Sequence, residues 1–153
     1  PVIAAGGISD ARGFVAALAL GAEGVLMGTR FMASQECNTH PKVKEWLLQL
    51  HETDTMLIQR SLRNTSRVVR TPYTEKIAEM EKKGAKLEEL LPLLSGQRGR
   101  RAYDTGDFSQ ATISVGQTVG LIHDIPSAKE IIDRIISEAQ VIIQRLYKLG
   151  TGR

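Results

Sequence analysis

Residues 1–31 read PVIAAGGISDARGFVAALALGAEGVLMGTRF, and this stretch decides the fold. It begins with an apolar run over Pro1–Ala5, which is typical of a strand buried on both faces of a parallel sheet. The run ends at Gly6 and Gly7, where the backbone is free to adopt positive φ and another group can approach the main chain closely. We therefore expect the first strand to end in a tight, open turn.

A predicted helix follows this turn and ends near Gly21. Ser9 is the candidate N-cap, and Asp10 then lies in the first turn, where a negative charge is favoured. Apolar residues recur at helical spacing along the segment: Ala11, Phe14, Val15, Leu18 and Ala19. A second apolar strand, Gly24–Met27, comes next, so the pattern predicts one right-handed βαβ unit of a parallel sheet.

The second strand also ends in small residues, ahead of a segment, Arg30–Ser34, that can begin another helix. Because the carboxyl ends of parallel strands meet at one edge of a sheet, we expect the backbone N–H groups of both turns to converge. Such groups bind anions, phosphate above all, without any lysine. The candidate residues are Gly6, Gly7, Gly28 and Thr29. The alternative, that these glycines only form tight turns between strand and helix, stays open at this point.

Residues 1–31 resemble, nearly position by position, the seventh and eighth βα units of a flavoenzyme family. It is the family of FMN-dependent (β/α)8-barrel nitronate monooxygenases, formerly called 2-nitropropane dioxygenases, with the related flavin-dependent enoyl-acyl-carrier-protein reductases. The likeness is strong as far as Pro41 and weaker beyond it, through Asp54-Thr55 and the segment GQTVGLI, residues 116–122.

The resemblance implies roles for five residues of this chain. In the family the two turns bind the FMN phosphate, which implies that role for Gly6 and Gly7 after strand 7 and for Gly28 and Thr29 after strand 8. Phosphate sites of (β/α)8 barrels commonly lie in these same two loops. Gln117 lies in a segment that returns toward the flavin in the family, which implies a substrate-lining residue. The family's histidine that assists nitronate oxidation lies upstream of strand 7, so no catalytic base is assigned to this chain.

The fold class implied by the resemblance is α/β, the C-terminal part of a (β/α)8 TIM barrel with a mostly helical covering segment. A complete barrel takes roughly 250 residues, and this chain has 153. We therefore expect a fragment whose other strands belong to a missing N-terminal barrel portion. The expected divisions are residues 1–52 for the last two βα units, 53–125 for the covering segment with short strands, helices and loops, and 126–153 for an amphipathic helix.

The composition is that of an ordinary globular protein, with 42% hydrophobic and 24% charged residues. The formal net charge of +3 is too small to indicate nucleic-acid binding. Cys37 is the single cysteine, which excludes an intrachain disulfide and favours a reducing cytoplasm. No apolar run reaches the roughly 20 residues of a membrane span. The expected partner is a small-molecule substrate, and association into oligomers is left open.

Beyond residue 38 the sequence predicts a series of helices, two short paired strands and a loop. A helix is expected to begin at Thr39-His40-Pro41, with Thr39 as its cap. The other predicted elements are strands at Asp54–Gln59 and Ser66–Arg70, a helix at Thr71–Lys83, a helical patch from Leu87 to Leu94 interrupted by Pro92, a loop at Ser95–Ser109, and a last helix with a Ser127/Glu130 capping box.

Other residues that could carry chemistry have plainer explanations. His40, His51 and His123 stand at helix ends or in turns, which favours capping or surface roles over catalysis. Cys37 follows Glu36 and lacks the positive surroundings that activate a thiol. A basic triplet without interleaved aromatic residues is typical of a solvated loop: Arg98, Arg100 and Arg101.

The resemblance implies an FMN-dependent oxidoreductase that oxidises alkyl nitronates with O2, to which this chain contributes the FMN phosphate site. Two alternatives stay open. One is a flavin-dependent enoyl-acyl-carrier-protein reductase of the same superfamily, and the other is a non-catalytic module that binds a phosphate-bearing ligand.

Overall fold

A computed structural model describes residues 1–152 of the chain. It contains four strands, seven α-helices and one 3-10 helix within that range. The strands are β1 Ile3–Ala5, β2 Gly24–Leu26, β3 Thr55–Ile58 and β4 Ser66–Val69. The helices are α1 Ala11–Ala19, α2 Thr29–Met32, α3 Pro41–Leu47, α4 Pro72–Lys82, α5 Leu87–Leu94, α6 Gly96–Thr105 and α7 Ala128–Thr151, with the 3-10 helix at Gln117–Leu121.

The first three elements form the predicted βαβ unit. Strands β1 and β2 pair in parallel, with Ile3 opposite Gly24 and Ala5 opposite Leu26. The expectation that the first strand is buried on both faces is wrong, since Ile3 is 56% exposed. Within residues 1–152, β1 pairs with β2 alone, so its other edge has no neighbouring strand.

Two predicted helix caps are wrong by one residue. Helix α1 begins at Ala11, and its N-cap is Asp10, whose Oδ1 accepts a 3.1 Å hydrogen bond from the N–H of Gly13. Ser9 therefore lies outside the helix. Helix α3 begins at Pro41, and its cap is His40, whose Nδ1 accepts a 3.2 Å bond from the N–H of Lys42. In both places the residue nearer the helix takes the cap because its side chain reaches the free N–H groups of the first turn.

The terminal helix α7 packs against α1. Its capping box is confirmed: Ser127 Oγ accepts from the N–H of Glu130, and Glu130 Oε2 accepts from the N–H of Ser127. Ala139 joins Ala11 and Val15 in a small buried cluster between the two helices. Only part of the predicted apolar stripe is buried, and the exposed members include Ile132, Ile136, Ile143 and Leu146. No helix within residues 1–152 has the length and apolar composition to cross a membrane.

The two predicted short strands are confirmed as the antiparallel hairpin β3–β4, with Thr55 opposite Val69 and Ile58 opposite Ser66. A later segment, residues 111–116, runs along the other edge of β4. The N–H of Val69 donates to the carbonyl of Ile113 at 2.9 Å, and the N–H of Val115 donates to the carbonyl of Arg67 at 3.2 Å. This pairing carries the chain from the hairpin toward the ends of β1 and β2.

The predicted loop at Ser95–Ser109 is wrong, because residues 96–105 form helix α6. Ser95 Oγ caps the helix by accepting from the N–H of Gln97, and Gly106 ends it in a left-handed conformation. Ala102 is fully buried in a cluster with Leu47 of α3 and neighbouring residues. Tertiary burial of this face outweighs the poor helix propensity of the glycines and aspartate in the segment.

Candidate functional site

Both turns that follow β1 and β2 open onto one concavity of about 380 Å³. We call it the strand-end concavity. It is lined by residues from the two turns, from β4 and from the segment that follows helix α6: Gly6, Gly7, Ile8, Leu26, Gly28, Thr29, Met32, Arg67, Ser114, Val115, Gly116 and Thr118. All four residues predicted to bind a phosphate are thus brought to one place.

The backbone of the first turn requires glycine. Gly6 and Gly7 have φ angles of +83° and +71°, a region that other residues rarely adopt. A β-carbon built at Gly6, Gly7 or Gly28 would meet no other atom within 4 Å. The space beside these backbone groups is therefore open, and a ligand can approach the main chain there.

Thr29 connects the second turn to the opposite wall of the concavity. Its Oγ1 accepts a 2.9 Å hydrogen bond from the backbone N–H of Gly116. A β-carbon built at Gly116 would lie 4.0 Å from the backbone nitrogen of Gly7. The segment around Gly116 therefore lies close to both turns. The Thr29 hydroxyl hydrogen is left available to donate to a ligand, since the oxygen serves as the acceptor in this bond.

Gln117 lies at the start of the 3-10 helix and is exposed. It is not among the residues that line the strand-end concavity, whereas its neighbours Gly116 and Thr118 are. The predicted return of this segment toward the two turns is therefore seen in the backbone, with Gln117 beside the concavity.

Arg67 is a lining residue that sequence reasoning missed. It lies on β4, and its Nη1 donates a 2.8 Å hydrogen bond to Oγ1 of Thr55 on β3. The hydroxyl of Thr55 in turn donates to the carbonyl of Glu52 at 3.3 Å. Strand alternation predicts that Arg67 and Thr55 share a face of the hairpin. Their proximity to the glycine turns follows only from how the hairpin packs.

A buried arginine anchors the second turn from behind. The side chain of Arg30, 7% exposed, donates from Nη1 to Oδ1 of Asp124 at 3.1 Å and from Nη2 to the carbonyls of Ala33 and Asp124. Burial lowers the pKa of Arg30. Arg134 of α7 donates to the other carboxylate oxygen of Asp124 at 2.7 Å. These bonds hold α2, and with it the Gly28-Thr29 turn, against the chain leading into α7.

The pKa of Asp124 reflects this arrangement. Burial acts to raise it, but hydrogen bonds and charges from Arg134 and Arg30 together outweigh burial and hold it below its usual range. The carboxylate therefore stays ionised and structural.

The remaining candidates have structural roles or lie at the surface. His40 caps α3, while His51 and His123 are exposed. Cys37 is unpaired, and its Sγ lies 3.2 Å from Oγ1 of Thr39. Within residues 1–152, no group of three or more histidine, cysteine or acidic side chains is arranged to bind a metal ion.

Comparison with known proteins connects this geometry to a family. The family model described as nitronate monooxygenase matches residues 1–138. This chain belongs to the nitronate monooxygenase family. A protein of this family, the probable nitronate monooxygenase of Staphylococcus aureus strain MSSA476, is 33% identical over 144 residues. The alignment covers 94% of this chain and 40% of that protein, so the chain spans less than half the length of this relative.

Solved structures show the fold of the chain. FabK from Thermotoga maritima superposes with a TM-score of 0.90 at 43% identity, covering 97% of this chain and 47% of that one. The nitroalkane oxidase from Streptomyces ansochromogenes gives a TM-score of 0.72 at 23% identity, covering 95% and 41%. The predicted fold class is confirmed: the chain has the fold of part of a (β/α)8 barrel.

Proposed function

We propose that this chain is the C-terminal part of an FMN-dependent oxidoreductase, and that the strand-end concavity binds the phosphate of FMN. The observation that carries the proposal is the convergence of two glycine turns on one open space, in a chain of the nitronate monooxygenase family. The residues fit the group, because no protein atom lies within 4 Å of the positions that β-carbons at Gly6, Gly7 and Gly28 would take, which leaves room for a phosphate beside these backbone N–H groups.

The proposed roles follow from the atoms present. Backbone N–H groups of Gly6, Gly7, Gly28 and Thr29 donate to phosphate oxygens, as does the Thr29 hydroxyl, while Gly116 fixes that hydroxyl oxygen from the other side. Gln117, beside the concavity, is kept as the proposed substrate-lining residue. When bound, FMN supplies the redox chemistry, and the protein supplies binding, orientation and the surrounding charges.

The proposed reaction is the oxidation of an alkyl nitronate with O2, in the cytoplasm. The chain then contributes strands 7 and 8 of the barrel, and the upstream strands and the catalytic base come from the rest of the complete protein. We use "complete protein" for the polypeptide that contains this chain together with those strands.

Anaerobic mixing of the complete, FMN-loaded protein with substrates tests this reaction. Propane-2-nitronate is expected to reduce the flavin rapidly, seen as loss of its visible absorbance, and NADH or NADPH is expected to do so slowly. Rapid bleaching by a nicotinamide but not by the nitronate would refute the nitronate proposal.

The second candidate, enoyl-thioester reduction with a nicotinamide donor, is kept for a specific reason. Residues 1–31 resemble the flavin-dependent enoyl-acyl-carrier-protein reductases as well as the nitronate monooxygenases. The sequence identity of this chain with FabK, 43%, also exceeds the 33% that it shares with the probable nitronate monooxygenase. The same anaerobic experiment decides between the two, with an enoyl thioester added to the nicotinamide-reduced protein: rapid reoxidation of the flavin would support this candidate.

The isolated 153-residue chain tests whether it is a fragment or a self-sufficient phosphate-binding module. Ile3 and Leu26 are 56% and 60% exposed on the two paired strands. An open sheet with exposed apolar residues favours association. We therefore expect the isolated chain to scatter light as it is heated, and a soluble, cooperative, two-state melt would support the module instead.

A further inference from the structure

The strand-end concavity contains a charged side chain that neither the glycine turns nor the family resemblance assigns. Within residues 1–152, Arg67 is the one ionisable residue that lines it. Backbone N–H groups carry partial charges only, whereas a phosphate monoester carries between one and two negative charges near neutral pH. An arginine in the wall of such a site is placed to balance that charge.

The guanidinium of Arg67 is oriented but not neutralised. Its Nη1 is held by Thr55 Oγ1 at 2.8 Å, and no acceptor among residues 1–152 takes the donors on Nε and Nη2. Within residues 1–152, no carboxylate oxygen lies within 4.0 Å of the guanidinium nitrogens of Arg67. The nearby Arg70, in contrast, pairs with Glu75 at 3.7 Å. A half-buried, unpaired guanidinium that faces an open space favours an anionic ligand.

The backbone couples Arg67 to the predicted phosphate-binding residues. Its carbonyl accepts from the N–H of Val115 at 3.2 Å, and the next residue, Gly116, donates to Thr29 Oγ1. A short hydrogen-bonded path therefore sets the distance between β4 and the Gly28-Thr29 turn.

We propose that Arg67 is the charged ligand of an oxyanion bound in the strand-end concavity. The source to which the neighbouring glycine turns point is the phosphate of FMN, and this part of the proposal rests on the proposed function. The other source of the same chemistry is the anionic oxygen of a nitronate substrate.

The test compares Arg67→Gln with Arg70→Gln in the complete protein. Arg70 lies three residues along the chain, is half exposed, and does not line the concavity, so its substitution removes the same charge elsewhere. FMN and riboflavin, which lacks the phosphate, are titrated into each apoprotein. Arg67→Gln is expected to weaken FMN binding by about tenfold to hundredfold, the range of a charge-assisted hydrogen bond, and to leave riboflavin binding unchanged. Arg70→Gln is expected to change neither.

The FMN affinity of Arg67→Lys and the KM of Arg67→Gln for propane-2-nitronate are two further tests. If Arg67→Gln folds poorly, Arg67→Lys retains the charge and is expected to recover part of the FMN affinity. The KM for propane-2-nitronate identifies the second source: a rise in KM with unchanged FMN affinity assigns Arg67 to the substrate oxyanion. Unchanged FMN affinity together with unchanged KM overturns the proposal.

Binding of FMN, riboflavin and inorganic phosphate to the parent protein separates a failure of the FMN proposal from a failure of the Arg67 proposal. If the parent protein binds neither FMN nor riboflavin, the FMN proposal fails, and inorganic phosphate then becomes the probe. Phosphate binding that Arg67→Gln abolishes and Arg70→Gln preserves would support the oxyanion site without a flavin. Absence of phosphate binding to the parent would overturn the inference as well.

Discussion

The backbone N–H of Gly116 donates a 2.9 Å hydrogen bond to Oγ1 of Thr29, joining two residues that are 87 positions apart. This bond fixes one wall of the strand-end concavity, because it ties the segment after α6 to the turn after β2. Thr29 therefore has two roles in the proposed site, as a ligand of the phosphate and as the anchor of the opposite wall.

Replacing Thr29 with valine tests both roles. Thr29→Val keeps the shape but leaves the N–H of Gly116 without its acceptor, so we expect a loss of about 1–3 kcal/mol in the free energy of unfolding and weaker FMN retention. Thr29→Ser keeps the hydroxyl and is expected to retain most of both. Urea unfolding and flavin release from the complete protein measure the two effects, and equal behaviour of the two variants would contradict the assignment.

Gly28→Val tests the open space beside the second turn. A β-carbon at Gly28 meets no protein atom within 4 Å, and the residue is not in the left-handed region, so the change should cost only about 1 kcal/mol, the loss of a favoured glycine at the N-cap of α2. FMN affinity is expected to fall at least about tenfold, because the side chain crowds the phosphate. Gly99→Val in α6 is the control, since a β-carbon there also meets nothing within 4 Å. Unchanged flavin occupancy in Gly28→Val would refute the phosphate assignment.

Asp124→Asn tests the ion pairs behind the second turn. The pKa of Asp124 is lowered in the folded protein: burial acts to raise it, but Arg134 and Arg30 outweigh burial. Its contribution to stability is therefore present above its unfolded pKa, about 3.9, and is lost as the pH falls through the folded value.

We expect Asp124→Asn to reduce the free energy of unfolding at pH 7 by about 1–2 kcal/mol, toward the low end because the Asp124 side chain is 42% exposed. The difference from the parent should shrink as the pH is lowered from 5 to 3. Urea unfolding across this pH range provides the check, and a difference that is constant with pH would show that the carboxylate charge does not contribute.

Gly106→Ala tests the junction between helices α6 and α3. Gly106 has φ +76°, and a β-carbon there would lie 2.6 Å from Nδ1 of His40, the cap of α3. We expect a loss of about 2–4 kcal/mol in the free energy of unfolding, from left-handed strain and from displacement of the His40 ring. Gly84→Ala separates the two causes, because Gly84 has φ +83° with nothing within 4 Å, and about 1 kcal/mol is expected there. Equal losses at both positions would eliminate the steric contribution.

Much of the local structure was predictable because it is encoded over a few neighbouring residues. The βαβ unit, the hairpin β3–β4 and the Ser127/Glu130 capping box all follow from periodicity and turn chemistry. The sequence pattern places the caps of α1 and α3 one residue too early, since adjacent polar side chains such as Ser9 and Asp10 compete for the same N–H groups. The local pattern does not predict helix α6, because burial of Ala102, a tertiary effect, stabilises it.

The candidate site also has one part that the local sequence encodes and one part that tertiary contacts decide. The sequence alone identified the two glycine turns and placed them at one edge of a parallel sheet, because strand ends and glycine conformations are local properties. Only the folded chain brings Gly116 to Thr29 and Arg67 to the same concavity. Those contacts depend on the path of more than thirty intervening residues and on how the hairpin packs, which no local pattern specifies. The backbone part of the proposed phosphate site is thus encoded locally, whereas the positive charge of Arg67 reaches the site only through the tertiary fold.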